Sequence, residues 1–285
     1  MRILTPAKVN LCLRVVGKRD DGYHLIDSII VPISLYDEVE ISRPLKAKGG
    51  LTVTCRHPQV PSGEDNLAHK AASILLGKKG IHESVSIRIR KKIPVGAGLG
   101  GGSSDAAATL VGLNRYFRLG YRPGELLSIA SQCGADVPFF IRAIPTRARG
   151  IGERLTRIYS FPRLWIVILF PGFPVSTRWV YHNLDFKLTK VIENTNLNAH
   201  LGDSGQLKRL LVNDLEKVTF GRYPRISSLK RRLIQAGASG ALMSGSGSSV
   251  FGIFAAVEEA NKAFRCFRQE KGVRAYLAHT LVKKR

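Results

Sequence analysis

Apolar and polar positions alternate near the start of the chain. Val9, Leu11, Leu13 and Val15 fall on one face, with Lys8 and Asn10 on the other, the period of a half-buried strand. A cation beside an amide, both directed away from the core, suits an oxygen-rich ligand; two solvent-facing polar residues on a strand is the plainer reading. Gly17 to Gly22 forms a charged turn, followed by Tyr23-His24. Ile29-Ile30-Val31, Val39-Glu40-Ile41 and Leu51 to Cys55 read as further strands. Asn66 to Gly77 predicts a helix with Leu67, Ala71, Ile74 and Leu75 inward, ended by glycine. Val85, Ile87 and Ile89 alternate with Ser86, Arg88 and Arg90, again a strand. From Ser103 the spacing turns helical, with Ala107, Leu110, Val111 and Asn114 three and four residues apart. A helix over about Gly124 to Cys133 ends at Gly134. Pro138 suits the first turn of the next helix, and Asp136 stands at or just before it, where an aspartate can serve simply as a cap.

A second unit begins near Pro162. Leu164 to Phe170 is an unbroken apolar run, the mark of a strand buried on both faces and far short of the ~20 residues a membrane span needs. Thr177 to Tyr181 starts a helical piece, and Lys187 to Gln206 reads as polar loop. Helices are expected over Leu210–Val218 and Pro224–Ala236. A short strand, Ala241 to Met243, enters a second glycine turn, Ser244-Gly245-Ser246-Gly247-Ser248-Ser249. Val250 to Phe254 returns as a strand, Val257 to Gln269 is helix, and Arg274 to Thr280 is a last strand. This order fits a split β-α-β sandwich. We therefore expect an α+β chain of two domains, residues 1–157 and 158–285.

Between the strand at Val85 and the helix from Ser103 lies Pro94-Val95-Gly96-Ala97-Gly98-Leu99-Gly100-Gly101-Gly102-Ser103-Ser104. Glycines let a backbone turn tightly and approach a ligand closely. The N–H groups and positive dipole end of the following helix favour an anion such as a phosphate. A Walker loop is excluded, because serine and not lysine follows the last glycine. Gly96 to Gly101 satisfies GxGxxG, but no acid closes a second strand about 20 residues on, as a dinucleotide fold would require. Protein-kinase companion motifs are missing as well. A glycine-rich linker would not run straight into so helical a segment.

Composition adds one unusual feature. Of 285 residues, 44 are Lys or Arg and 21 are Asp or Glu, a formal charge of +23. Such an excess suits polyanionic partners, either nucleic acid or a phosphate-rich small molecule, or else a generally basic solvated surface. Six arginines lie between Arg142 and Arg163 with one acid, Glu153. The four cysteines, Cys12, Cys55, Cys133 and Cys266, have no metal or disulfide spacing. With no signal region at the start, a reduced, cytoplasmic setting is expected.

Pro94, Gly98-Leu99-Gly100, Ser103-Ser104 and the alanine-rich helix together resemble the phosphate loop of the GHMP small-molecule kinases. Thr5-Pro6-Ala7-Lys8-Val9-Asn10-Leu11, Asp20-Asp21-Gly22-Tyr23-His24, Gly134-Ala135-Asp136-Val137-Pro138-Phe139-Phe140 and Met243-Ser244-Gly245-Ser246-Gly247 resemble segments of one branch of that family, in the same order. That branch acts on a methylerythritol carrying a cytidine diphosphate, in non-mevalonate isoprenoid biosynthesis. The resemblance implies a two-lobed GHMP fold, with an N-terminal ribosomal S5 domain 2-like lobe and a C-terminal ferredoxin-like lobe. It also implies ATP on the residues Pro94 to Ser104, and Lys8 and Asp136 in the catalytic positions. Asn10 would lie by the methylerythritol, with Tyr23 and His24 at the cytosine. Mg2+ would bridge ATP oxygens, with Ser104 a candidate ligand and no protein carboxylate demanded. The chain is expected to act as a monomer or homodimer, without a membrane. One departure stands out: where the family commonly has a Gly-Gly-Thr-type stretch after Phe140-Ile141-Arg142, this chain has Ala143-Ile144-Pro145.

Two rivals remain at this point. Another GHMP kinase, of the homoserine or mevalonate type, lacks the matching N-terminal strand and Tyr-His pair. A basic nucleic-acid-binding protein is supported only by charge; no zinc spacing, recognition helix or aromatic RNA-binding signature accompanies it.

Overall fold

The computed structural model describes residues 1–44, 50–184 and 209–282. The chain gathers into two compact units that interleave along the sequence. One comprises Met1–Ala7, Tyr36–Val95 and Gly100–Ala143; the other comprises Lys8–Leu35, Gly96–Leu99 and Ile144–Arg285. Two long strands, β1 (Arg2–Lys18) and β2 (His24–Ser42), contribute different portions to each. The two separate strands expected at Ile29–Val31 and Val39–Ile41 are thus one strand, because the residues between them keep alternating buried and half-buried positions.

In the first unit, β3 (Leu51–Cys55) runs parallel to β4 (Val85–Arg90), and β4 pairs antiparallel with the far part of β2, Glu38 opposite Arg90. Four helices belong to this unit: α1 (Leu67–Lys78), α2 (Gly101–Tyr116), α3 (Pro123–Cys133) and α4 (Val137–Arg142). Asn66 caps α1 by accepting from the Ala68 N–H at 2.9 Å. The helix continues one residue past Gly77, the expected stop. Helix α2 starts at Gly101, two residues before the expected onset. It is buried along nearly its whole length, by Ala106, Ala107, Ala108, Leu110 and Leu113, because it packs against α1, α3 and α4 at once. At Gly112 an added Cβ would meet Ile3 Cδ1 at 2.5 Å, so the glycine brings helix and strand into direct contact.

In the second unit, the near part of β2 pairs antiparallel with β5 (Thr146–Gly150), Ile26 opposite Gly150, and β5 folds back on β6 (Arg154–Arg157). Sequence patterning read this basic stretch only as charge. Its other sheet has the order β11 (Arg274–His279), β7 (Trp165–Phe170), β10 (Val250–Phe254), β9 (Gly240–Met243), all antiparallel. Numbered along the chain, that order is four-one-three-two, the split β-α-β arrangement. Helix α5 (Thr177–His182) follows β7, and α6 (Glu216–Arg222), α7 (Pro224–Gln235) and α8 (Val257–Arg268) also lie among the described residues of this unit. Val167, Leu169, Ile226, Leu229, Leu233, Met243, Val250, Ala263 and Phe267 form its core.

The helix expected at Leu210–Val218 is a correction. Val212–Asn213 is a short strand, β8, parallel to β1 with Cys12 opposite Val212, and the helix starts only at Glu216. The Asp214 N–H donates to Leu13 O at 3.0 Å and its carboxylate accepts from the Val15 N–H at 2.7 Å. These long-range bonds outweigh local helical propensity. The expected loop at 187–206 lies outside the described residues. Among the described residues, no helix is long and apolar enough to cross a membrane, and all four cysteines are free thiols.

Candidate active site

The glycine loop is held from one side by its own carbonyls. Those of Gly96, Ala97 and Leu99 accept from the N–H groups of Val175, Ser249 and Lys8 at 3.0, 3.1 and 3.0 Å. The Gly98 carbonyl accepts from the Ser244 hydroxyl at 2.9 Å. In a trans peptide the following N–H points the opposite way, so the N–H groups of residues 97–100 are aimed away from those partners. Gly96, Gly98 and Gly100 all have positive φ, 64, 76 and 72°, while Ala97 and Leu99 between them are buried. Alternating handedness of this kind makes a concave run of N–H donors, suited to anions. Pro94 is buried ahead of the loop and Val95 half-buried.

Gly100 is the left-handed N-cap of α2, whose first-turn N–H groups are those of Gly101, Gly102 and Ser103. Gly102 is exposed and Ser103 half-buried. Ser104, in contrast, is fully buried; its hydroxyl donates to Pro6 O at 2.6 Å and meets the Thr5 hydroxyl. It ties the helix to β1, and Ser103 is the serine that stays open. Below the same helix start, the Lys91 ammonium bonds to both Asp37 and Asp105, the latter at 2.7 Å. Asp37 also accepts from the Ile93 N–H at 2.8 Å, fixing the approach to the loop. Burial pushes the Asp105 carboxyl up to about 7, against the pull of Lys91 and with the push of Asp37.

Lys8 and Asn10 are not solvent-facing. They are 5% and 3% exposed, and the Lys8 ammonium donates to Asn10 Oδ1 at 2.6 Å. The second glycine turn stands next to them: a Cβ added to Gly245 would lie 3.4 Å from Lys8 Nζ and 3.3 Å from Gly98 O. Asn213 holds that turn by donating to Met243 O and Gly245 O, both at 2.8 Å, while Thr219 donates to Ser246 O at 3.2 Å. Lys8, Asn10, Gly98 and Gly245 are thus brought together within one compact unit.

Tyr23 is exposed at the end of the β1–β2 turn. The His24 ring lies 5.2 Å from that of Tyr181 on α5, tilted by 32°. Partial burial, then the nearby Lys18 charge, lower the His24 pKa from its usual 6.5, which keeps the imidazole neutral at pH 7 with one donor and one acceptor nitrogen. Asp136 is the N-cap residue of α4, half-buried, and its side chain makes no capping hydrogen bond. A pure capping role therefore has no support in the geometry. Asp136 is carried by the other compact unit from Lys8. Sequence reasoning missed Tyr181 and Asn213. Each is far along the chain from what it touches, and neither lies in a recognisable motif.

GHMP kinase N- and C-terminal domain profiles match residues 66–143 and 193–273. A 4-diphosphocytidyl-2-C-methyl-D-erythritol kinase from Citrifermentans bemidjiense is 46% identical over 281 residues, covering 99% of both chains. The protein of the same name from Geobacter sp. strain M21 is 49% identical over 89% of each. The chain belongs to the GHMP kinases, within the 4-diphosphocytidyl-2-C-methyl-D-erythritol kinase family. A crystal structure of 4-(cytidine 5'-diphospho)-2C-methyl-D-erythritol kinase superposes with a TM-score of 0.83 at 36% identity, covering 99% of this chain and all of that one. A homoserine kinase from Cytophaga hutchinsonii, 21% identical with a TM-score of 0.74 and coverage of 99% and 94%, shares the fold. The protein is a kinase, and ATP is the co-substrate of its family. The position where a departure from the family's glycines is expected has a distinctive backbone. Ala143 ends α4 in the left-handed region, φ 45° and ψ 58°, a conformation that glycine adopts without strain.

Proposed function

We propose that this kinase transfers the γ-phosphoryl group of ATP to the 2-hydroxyl of 4-diphosphocytidyl-2-C-methyl-D-erythritol, a step of non-mevalonate isoprenoid precursor biosynthesis. The observation that carries this reading is near-complete coverage by a relative of that name at 46% identity; the glycine loop, Lys8 and Tyr23-His24 in the sequence support it. In this reading the ATP-binding domain is residues 1–157 and the C-terminal domain 158–285, a division by sequence that the two interleaved compact units cut across.

Phosphoryl transfer is mostly positioning and charge stabilisation. The N–H groups of residues 97–103 hold the ATP phosphates. Lys8 offsets negative charge on the transferring group. Asp136 accepts the proton of the attacking hydroxyl as the new P–O bond forms and the bond to ADP breaks. Asn10 faces the methylerythritol. Tyr23 stacks on the cytosine, and neutral His24 bonds to its edge. Mg2+ bound with the nucleotide would supply charge neutralisation, with no protein carboxylate needed to hold it. Ser104 is a poor ligand for it, since its hydroxyl is buried and bonded to Pro6.

The test is turnover of ATP against a panel of the diphosphocytidyl substrate, homoserine and mevalonate, with the phosphorylated product identified by mass. Turnover of homoserine or mevalonate at the higher kcat/KM would overturn the assignment. Asp136→Asn and Lys8→Ala should each lower kcat by about 10²–10⁴-fold and leave ATP affinity close to intact. The double variant should lose much less than the product of the two losses, the signature of two groups serving one step.

A further inference from the structure

Behind Lys8 and Asn10 runs a chain of buried hydrogen bonds whose far members, Ser28 and Cys12, have no part in the proposed chemistry. Lys8 Nζ donates to Asn10 Oδ1 at 2.6 Å, Asn10 Nδ2 donates to Ser28 Oγ at 2.8 Å, and Ser28 Oγ donates to Cys12 O at 2.6 Å. Ser28 is fully buried and Cys12 is 1% exposed. We propose that Ser28 is a positioning residue: it sets which way the Asn10 amide faces and so holds the Lys8 ammonium for transfer. The proposal rests on the reading of Lys8 as a catalytic group.

The direction of every bond in the chain follows from its ends. A main-chain carbonyl only accepts, so the single proton of the Ser28 hydroxyl goes to Cys12 O. The Ser28 oxygen is then left as an acceptor and selects the NH2 end of the Asn10 amide. An ammonium only donates, so Lys8 selects the oxygen end. Both selections agree. The reversed amide would put its oxygen against a hydroxyl with no proton left to give and its NH2 against a cation. Without Ser28 only the Lys8 end opposes that reversal, and the buried NH2 has lost its partner.

Ser28 is itself fixed by the sheet. It lies on β2 opposite Ala148 of β5. Its neighbour Asp27 points to the other face and is closed on Arg147 by two bonds of 2.8 and 2.7 Å. The Cys12 thiol offers no competing acid, since burial pushes it up to about 11. The lysine side chain has four rotatable bonds, and the bond to the Asn10 oxygen at 2.6 Å is one that fixes its head.

The experiment measures kcat and the KM for ATP on the diphosphocytidyl substrate for wild type, Ser28→Ala, Ser28→Thr, Lys8→Met and the Ser28→Ala/Lys8→Met double variant. Ser28→Ala should lower kcat about 10–100-fold, the scale of a small misplacement of a reacting group, with KM for ATP within about twofold. Ser28→Thr, which keeps the hydroxyl, should recover most of that loss. In the Lys8→Met background Ser28→Ala should change kcat less than about twofold, because its effect passes through Lys8. An equal loss in both backgrounds, or a Thr variant as slow as the Ala variant, overturns the proposal in favour of a merely structural serine. A slow Lys8→Met beside a fast Ser28→Ala overturns the role of Ser28 alone. A fast Lys8→Met overturns the reading of Lys8, and the proposal with it. Should Ser28→Ala not fold, Ser28→Cys, similar in size but a weak donor, gives the same comparison.

Discussion

Gly98→Ala should separate the two glycine-rich segments. Gly98 has φ +76°, and an added Cβ would fall on the Ser244 carbonyl, with the Ser244 carbon and Gly247 O each at 3.0 Å. All of these are main-chain atoms, so no side chain can rotate to make room. The left-handed backbone costs a non-glycine residue roughly 1–2 kcal/mol. Forcing an extra carbon into a packed site costs about 1–3 kcal/mol more. A total of about 2–5 kcal/mol corresponds to a fall in Tm on the order of 10 °C. Parting the segments also removes the Ser244–Gly98 bond that fixes one of the loop carbonyls, so ATP affinity should fall about tenfold or more, the equivalent of ~1.4 kcal/mol. Differential scanning calorimetry and nucleotide titration of the same preparation measure both. Gly102→Ala is the control. Its Cβ would meet only Leu67 Cδ1, at 3.9 Å, in a helical backbone, and it should leave stability unchanged or raise it by up to about 1 kcal/mol. A Gly98→Ala protein that melts with wild type and binds ATP normally would refute the reasoning.

Further expectations concern single side chains. Because the folded Asp105 carboxyl is raised from 3.8 to about 7, the native state keeps a proton that the unfolded chain has released, and stability from this group falls as pH rises from about 4 to 7. Asp105→Asn removes that titration, so denaturant melts should show the variant gaining on wild type across this window, by up to about 4 kcal/mol; a gap that does not change with pH would contradict it. Ala143→Gly relieves the left-handed strain at the end of α4 and should raise stability by up to about 1 kcal/mol, less the added freedom of the unfolded chain; a lower Tm would show that Ala143 is not strained. His24→Ala should raise KM for the diphosphocytidyl substrate more than KM for ATP, and equal activity on an analogue without cytidine would count against the cytosine contact.

The sequence by itself determined most elements of this protein and the motifs of its site. Period-two runs such as Val85–Ile89 and the apolar run into β7 need no partner to be read as strands, since each pattern reflects one element's own exposure. The glycines at 96, 98 and 100 announced a loop of unusual backbone, because glycine alone has no Cβ to oppose left-handed angles. The tertiary structure decided what depends on residues distant in the chain. Asn213 and Asp214 leave the helical pattern because Leu13, Val15 and the second glycine turn offer them better hydrogen bonds. Ser104 turned from a candidate ligand into a buried tie to β1, although nothing nearby in sequence distinguishes it from Ser103. Lys8 and Asn10 look like solvent-facing strand residues until Ser28, Gly98 and Gly245 close around them. A one-dimensional pattern records how often an element meets the core; it does not record which remote donor or acceptor will satisfy a polar side chain there, and that pairing is where the chemistry lies.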